Sequence, residues 1–194
     1  MGKDLNDNAD RLLENPVVSR IADTRPNGAA VPRIGVELDR LDRDVSPADL
    51  PCVLELDGTQ LSAVAAALGG SDLVLQGPPG TGKSQTITTL IAAVLARGKT
   101  VLFVAEKITA LDVVHRRLAD VGVADFCLEL HSHKSNKKDV LASFKAALDH
   151  KAKVVASEWQ SACVNLGALR ARLEQYVDAL HALTPLGWTY RERC

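Results

Sequence analysis

Apolar positions along the middle of this chain follow two alternating patterns. Short apolar runs of the kind found in buried strands occur at 73–76, 100–104 and 126–130. Segments with apolar residues spaced three and four apart, as in amphipathic helices, occur at 59–68, 83–96 and 109–120. Because helices that alternate with buried strands cover both faces of a sheet, the pattern predicts an α/β fold with a parallel, doubly wound sheet.

The pattern becomes helical beyond residue 135. Asn136, with Asp139 three residues later, is typical of a helix start and predicts a helix over 137–150. A second helix is predicted over 158–183, with an apolar stripe formed by Trp159, Cys163, Leu166, Leu169, Leu173, Tyr176, Val177 and Leu180. The stripe predicts that the two helices pack as an antiparallel hairpin, with a ligand groove as the alternative.

Four regions follow from these patterns. Residues 1–51 are polar and are interrupted by five prolines, which predicts a linker or a loosely packed lead-in. Residues 52–135 form the predicted α/β region, and residues 136–184 form the predicted helical hairpin. The last residues, 185–194, form a short tail.

Composition narrows the class of protein only slightly. With 194 residues, of which 46% are hydrophobic and 4% aromatic, the chain can form one α/β domain with an aliphatic core and an appendage. A net charge of −1 gives no general attraction to polyanions, so nucleic-acid contact requires a local patch. The four cysteines are far apart, which predicts reduced thiols and not a zinc site. No signal peptide or membrane-spanning run is recognisable, which predicts a cytoplasmic protein with no membrane partner.

One glycine-rich segment carries most of the functional information. Its sequence, GPPGTGKS, matches the phosphate-binding P-loop pattern at every fixed position and consists of Gly77, Pro78, Pro79, Gly80, Thr81, Gly82, Lys83 and Ser84. The segment follows a predicted strand and precedes a predicted helix, which is the order that the motif requires. Because converging backbone N–H groups and a cation can hold a polyanion, the segment predicts binding of a nucleoside triphosphate with magnesium.

The residues of this P-loop have different chemical roles. Gly80 and Gly82 allow the backbone to approach the phosphates, and Lys83 reaches the β- and γ-phosphates as a positive charge. The hydroxyl of Ser84 is a hard oxygen ligand that suits Mg²⁺. Lys83 and Ser84 are therefore the candidate catalytic residues, and Gln85 is a further candidate nucleotide contact.

Several motifs together resemble a known family. Gln60 lies in DGTQL ahead of the sequence LVLQGPPGTGKSQTI, and the sequences KTVLFVAEKITALDVVHRRL and FCLELHSHKSNKKDVL follow. Over about residues 52–188 the chain resembles the first RecA-like core of superfamily 1 helicases, in the branch of RNA-decay helicases and large bacterial helicase-type proteins. The resemblance implies a RecA-like P-loop NTPase fold, a helicase-type ATPase activity with ATP and Mg²⁺, and a second RecA-like domain in cis. Single-stranded nucleic acid is the partner that it implies for the full-length protein.

Gln60 acquires a specific role from this resemblance. In the family, the glutamine ahead of the P-loop reads the edge of adenine, and the corresponding residue here is Gln60. A carboxamide suits this role because it donates and accepts hydrogen bonds at the same time. A solvated glutamine at a helix start is the alternative.

The first candidate nucleic-acid contact lies after the second predicted strand. In the family motif that touches single strands, relatives often carry Pro followed by Ser or Thr and Asn, whereas this chain has Glu106, Lys107 and Ile108. An acid at Glu106 repels phosphate, which leaves Lys107 as the candidate contact.

A second candidate is the basic segment 131–138. Its lysines precede and begin a predicted helix, where a backbone phosphate is favoured, and they are Lys134, Lys137 and Lys138. A solvated basic turn is the alternative. His131 and His133 lack a third ligand at a suitable spacing, so a metal site is not predicted there.

Some parts of a hydrolysing P-loop enzyme are not recognisable. No acidic pair follows an apolar run downstream of Ser84, since Glu129 lies within a predicted strand and Glu55 precedes the P-loop. In the family that the chain resembles, the acidic pair and the arginine motifs come later, so the ending at Cys194 predicts a truncated piece of a longer ATPase. The sequence is interpreted as an ATP- and magnesium-binding N-terminal part of a helicase-like motor.

Two other interpretations stay open. A fragment of a ring-forming AAA+ ATPase would share GPPGTGK, although Gln60 argues against it. A module that binds nucleotide without hydrolysing it is consistent with the missing acidic residues of this chain.

Overall fold

A computed structural model describes residues 2–15, 18–19, 22, 40–130, 137–150, 156–183, 187 and 189 of the chain. The chain divides into two compact units, Met1–Arg33 and Ile34–Cys194. The helices described in the first unit include α1 (Gly2–Asp7) and α2 (Ala9–Leu13).

The second unit contains the P-loop and is helical wherever regular structure is described. Its helices are α3 (Leu41–Asp44), α4 (Gly58–Leu68), α5 (Lys83–Ala96), α6 (Ile108–Asp120), α7 (Lys137–Asp149) and α8 (Ala156–His181). A 3₁₀ turn at Ala124–Phe126 follows α6, and an isolated antiparallel bridge joins Leu183 to Thr189. The predicted helices over 59–68, 83–96, 109–120, 137–150 and 158–183 are therefore confirmed to within about two residues at each end.

The predicted parallel sheet is wrong, and so is the RecA-like sheet that the family resemblance implied. In the part of the chain that the structure describes, none of the three predicted strands forms a ladder with another. Strands of a parallel sheet are buried on both faces, whereas Val74, Leu102 and Val104 here expose 86%, 88% and 76% of their surface. The short apolar runs indicated burial, but a strand also needs a neighbour that pairs with its backbone, and among the described residues these segments form no ladder.

The larger core lies between α4 and α5. Val64 and Leu68 of α4 pack against Ala93 of α5, and Leu41 and Leu50 from the predicted lead-in join them. Val64 is fully buried, and burial of a side chain of this size contributes about 1.5–3 kcal/mol to stability. This core holds α4 next to α5, and α5 is the helix that begins at the P-loop.

The guanidinium group of Arg97 connects the C-terminal end of α5 to the segments that form the same core. The two terminal nitrogens of Arg97 donate to the carbonyl oxygens of Leu68 and Asp49, both at 2.8 Å. The Leu68 carbonyl belongs to the last turn of α4, where carbonyl oxygens lack helical partners, and the Asp49 carbonyl lies in the turn 47–49. Arg97 therefore satisfies two backbone acceptors while it joins three parts of the chain.

A smaller core joins α5 to α6. Ile91 of α5 packs against Val114 and Leu118 of α6, and the half-buried Phe103 and Cys127 lie against them. Phe103 and Cys127 belong to two of the extended segments that were predicted as strands. These segments therefore pack against the helices through one side and do not pair with each other in a sheet.

Ion pairs connect α8 to the segment around α3. Arg43 donates to Glu174 at 3.0 Å and to Asp178 at 2.8 Å. Arg170 contacts the Asp42 carboxylate at 3.1 Å and the Val45 carbonyl oxygen at 3.2 Å. Much of the predicted apolar stripe of α8 is exposed, as are Leu141, Phe144 and Leu148 of α7. The antiparallel hairpin of these two helices stays a prediction.

Candidate nucleotide-binding site

The P-loop has a backbone conformation that depends on glycine. Gly80 and Gly82 have φ angles of 90° and 74°, in the left-handed region where a side chain causes strain. Gly82 is the N-cap of α5, and its carbonyl oxygen accepts from the N–H groups of Gln85 at 2.9 Å and Thr86 at 3.0 Å. The second glycine therefore makes the turn from which α5 begins.

Close contacts inside the loop add a steric reason for glycine. A methyl group on Gly77 would lie 2.5 Å from the hydroxyl oxygen of Thr81. On Gly82 it would lie 2.9 Å from the side-chain oxygen of Gln85 and even closer to the amide nitrogen of Gln60. Gly77 is therefore crowded by Thr81, and Gly82 by the ends of the Gln60 and Gln85 side chains, so a side chain at either glycine would require these neighbours to shift.

Lys83 and Ser84 are the first two residues of α5. The Lys83 ammonium group donates to the carbonyl oxygens of Gly77 and, at 2.7 Å, of Pro78, so it lies across its own loop. Both residues are half-buried, and the N-terminal end of a helix carries a partial positive charge and N–H groups without helical partners. The arrangement brings a side-chain cation, a hydroxyl and a helix N-terminus together.

Thr81 stabilises the loop through hydrogen bonds within it. Its hydroxyl donates to the Pro78 carbonyl oxygen at 2.9 Å, and its backbone N–H points to the same oxygen at 3.4 Å. The Pro78 carbonyl is therefore shared between Thr81 and Lys83. A phosphate is a stronger acceptor for an ammonium group than a neutral carbonyl, so Lys83 can exchange these partners for a ligand.

Gln60 is brought into contact with the P-loop. Its amide nitrogen donates to the carbonyl oxygen of Thr81 at 3.0 Å. Its amide oxygen accepts from the backbone N–H of Asp57 at 3.2 Å, which fixes the orientation of the amide. The structure thus places the Gln60 amide against the backbone of the P-loop. That Gln60 belongs to a nucleotide site and contacts adenine stays a prediction.

Asp57 is a residue of this region that the sequence interpretation missed. Its carboxylate accepts from the backbone N–H of Gln60 at 2.8 Å and from the hydroxyl of Thr59 at 2.6 Å. These hydrogen bonds, the one from Thr59 first, hold the pKa of Asp57 below its usual value. Asp57 and Gln60 form a reciprocal capping box at the start of α4. An N-cap acid three residues ahead of a glutamine is the signal that could have revealed it.

With this geometry in view, comparison with known proteins identifies the family. The family described as AAA domain, AAA_11, matches residues 55–167, which include Gln60 and the whole P-loop. The chain belongs to this AAA domain family. No solved structure matches the chain.

Two curated relatives of this AAA domain carry helicase names. One, described as an uncharacterized ATP-dependent helicase of Mycoplasma genitalium, is 56% identical over 91 residues. Its homolog in Mycoplasma pneumoniae is 52% identical over 92 residues. These matches cover 46% and 47% of this chain but only 8% of each relative, so the chain spans a small part of their length. The resemblance to helicase-like ATPases that the motifs indicated is confirmed.

The candidate nucleic-acid contacts of the AAA domain lie on two helix starts. Lys107 is the N-cap residue of α6, and Lys137 and Lys138 begin α7; all three are exposed. Lys134 lies outside the described residues, as do His131 and His133. Over the described ranges, no helix has both the length and the apolar character that a membrane crossing requires.

The acidic candidates lie at or near the extended segments. Glu106 is exposed just ahead of α6, and Glu129 pairs with His115 of α6 at 3.4 Å. His115 and Glu129 both line a cavity of about 500 Å³ between α5, α6 and the segments 100–105 and 126–130. Within the described part of the chain, no three His, Cys, Asp or Glu side chains are grouped to hold a metal ion.

Proposed function

We propose that this AAA domain binds ATP with Mg²⁺ through its P-loop, as part of a helicase-like, nucleic-acid-dependent ATPase. The observation that carries the proposal is the left-handed glycine turn at Gly80 and Gly82, which leads directly into Lys83 and Ser84 at the start of α5. This combination of a glycine turn, a cation and a helix N-terminus suits a triphosphate, which is a compact polyanion. The helicase names of the relatives support the wider activity.

The proposed roles follow from the position of each residue. Lys83 exchanges the carbonyls of Gly77 and Pro78 for phosphate oxygens, because charge-assisted hydrogen bonds are the stronger ones. Ser84 offers its hydroxyl to Mg²⁺, which neutralises phosphate charge when it is bound. The backbone N–H groups at the start of α5 face the same ligand.

Titration calorimetry with Mg-ATP tests the proposal. We expect saturable binding to a single site, with inorganic tripolyphosphate as a competitor because it carries the same phosphates without the base. A chain that folds, as judged by its helical circular dichroism, but takes up neither ligand would contradict the proposal.

We also propose that Gln60 selects adenine. A carboxamide has two N–H donors and two oxygen lone pairs, so the contacts with Thr81 and Asp57 use one of each and leave one of each for a base. The edge of adenine offers one acceptor and one donor side by side, which match the donor and the acceptor that remain on the Gln60 amide.

A Gln60→Ala variant is expected to bind ATP more weakly and GTP almost unchanged, because only ATP uses the amide. The test is the ratio of the ATP and GTP dissociation constants, measured for the wild type and for the variant. Gln76→Ala, at an exposed glutamine just ahead of the P-loop, is the matched control. An unchanged ATP-to-GTP preference would remove Gln60 from the site and favour the ring-forming AAA+ alternative.

The proposed partner, single-stranded nucleic acid, is expected to bind this chain weakly and with a strong dependence on salt. Lysine contacts with phosphates release counterions, so affinity falls steeply as the salt concentration rises. Reversing Lys137 and Lys138 to Glu is expected to remove most of the binding in a fluorescence anisotropy assay. Lys145→Glu, at an exposed position of the same helix, controls for a general charge effect. Tight binding that is insensitive to salt would show that stacking contacts carry the interaction instead.

A further inference from the structure

We propose that Asp57 is a positioning residue for the nucleotide site, and that it acts on base selection through Gln60. The inference rests on the proposed function, since it assigns to Asp57 the task of holding the amide that selects the base.

The first step of the argument is the orientation of the Gln60 amide. Its oxygen accepts from the Asp57 N–H at 3.2 Å, and its nitrogen donates to the Thr81 carbonyl oxygen at 3.0 Å. Exchange of the oxygen and the nitrogen would place a donor against the N–H and an acceptor against the carbonyl, and would lose both hydrogen bonds. The amide therefore presents its remaining donor and acceptor in one fixed order.

The second step is that Asp57 is itself held in place. Its carboxylate accepts from the Gln60 N–H at 2.8 Å and the Thr59 hydroxyl at 2.6 Å, and its backbone is extended, with ψ of 169°. This geometry points the Asp57 N–H at the Gln60 side chain. Without the carboxylate, the first turn of α4 loses its cap and the N–H loses its fixed direction.

The third step is that the capping box lies against the P-loop. Gln60 donates to Thr81, and the ends of the Gln60 and Gln85 side chains lie so close to Gly82 that a methyl group there would displace them. The described hydrogen bonds of the Asp57 carboxylate are with Thr59 and Gln60, and its backbone N–H donates to the Gln60 amide, so its influence on the nucleotide passes through that amide. A cap stabilises α4 whichever residue provides it. The cap affects the choice of base only because it also fixes the Gln60 amide.

The test is a double-mutant cycle with Asp57→Ala and Gln60→Ala, in which ATP and GTP dissociation constants are measured for the full chain. Loss of one oriented hydrogen-bonding group is expected to weaken ATP binding by about threefold to tenfold and to leave GTP binding nearly unchanged. In the Gln60→Ala background, Asp57→Ala is expected to have no further effect on either nucleotide. Asp57→Asn is expected to keep the wild-type ratio, because asparagine is an equally good N-cap residue.

Thermal unfolding separates this role from a purely structural one. Loss of the cap is expected to lower the melting temperature in both backgrounds, whereas the ATP-to-GTP ratio changes only when Gln60 is present. Equal weakening of ATP and GTP, an additive effect in the Gln60→Ala background, or no effect on ATP would each overturn the proposal. Absence of ATP binding by the wild-type chain would instead contradict the proposed function itself.

Discussion

A Lys83→Ala variant will show no detectable binding of Mg-ATP in titration calorimetry. The substitution removes the side-chain cation that lies across the P-loop on the carbonyls of Gly77 and Pro78. A hydrogen bond to a charged group contributes about 1.5–3 kcal/mol, so the loss is at least about tenfold for a single contact. Lys83 is placed to reach two phosphates, which makes the expected loss larger.

Lys99→Ala is the matched control for this experiment. Lys99 is an exposed lysine in the turn after α5, and its replacement is expected to leave Mg-ATP binding unchanged. Alanine is a good helix former, so Lys83→Ala is not expected to unfold α5, and circular dichroism checks this. Equal affinities of wild type and Lys83→Ala would show that the P-loop is not the binding site.

Purified chain 1–194 will bind Mg-ATP but hydrolyse it no faster than the Lys83→Ala variant, with or without single-stranded DNA or RNA. Positioning of water and neutralisation of developing charge supply most of the catalysis in phosphoryl transfer, and an arginine finger alone contributes ~10³–10⁵ in rate. The sequence contains a P-loop motif without a recognisable acidic pair after an apolar run. A phosphate-release assay measures the difference between the two proteins.

Nucleic-acid-stimulated turnover that disappears in the Lys83→Ala variant would contradict this prediction. Glu106→Gln and Glu129→Gln would then show whether either carboxylate completes the site. Dependence of the rate on protein concentration would instead show that self-association supplies the missing groups. Either result would favour an active ATPase within these residues over a nucleotide-binding part of a longer motor.

The helices and the glycine turn ahead of α5 were the most predictable parts of the molecule, because both are encoded locally. Amphipathic spacing is visible over a dozen residues, and α5 begins at Lys83 as the motif requires. The positive φ angles of Gly80 and Gly82 likewise follow from the need for a left-handed turn ahead of that helix.

The sheet could not be predicted reliably from the same information. An apolar run such as 100–104 shows that a segment tends to be buried, but strand pairing depends on distant neighbours that the run itself does not specify. In the structure, Phe103 packs on α5 and α6 while Leu102 stays exposed. The prediction that this segment is buried was therefore correct for the side that carries Phe103 and wrong for the side that carries Leu102. The predicted pairing with other strands was wrong.

Contacts between residues far apart in the sequence could not be predicted from local patterns either. The hydrogen bond from Gln60 to Thr81 and the ion pair of Arg43 with Glu174 join residues far apart in the sequence. No local pattern encodes such pairs, although the capping box around Asp57 is local and was recognisable. The family resemblance placed Gln60 at the nucleotide site without indicating what holds it there.

The most direct test of the central claim is a crystal structure of the chain with Mg²⁺ and a non-hydrolysable ATP analogue. We expect the triphosphate within residues 77–84, with the Lys83 ammonium group bonded to phosphate oxygens in place of the Gly77 and Pro78 carbonyls. We also expect adenine to contact the Gln60 amide. A nucleotide bound elsewhere, with Lys83 still on its own loop carbonyls, would contradict the assignment of this loop as the nucleotide site.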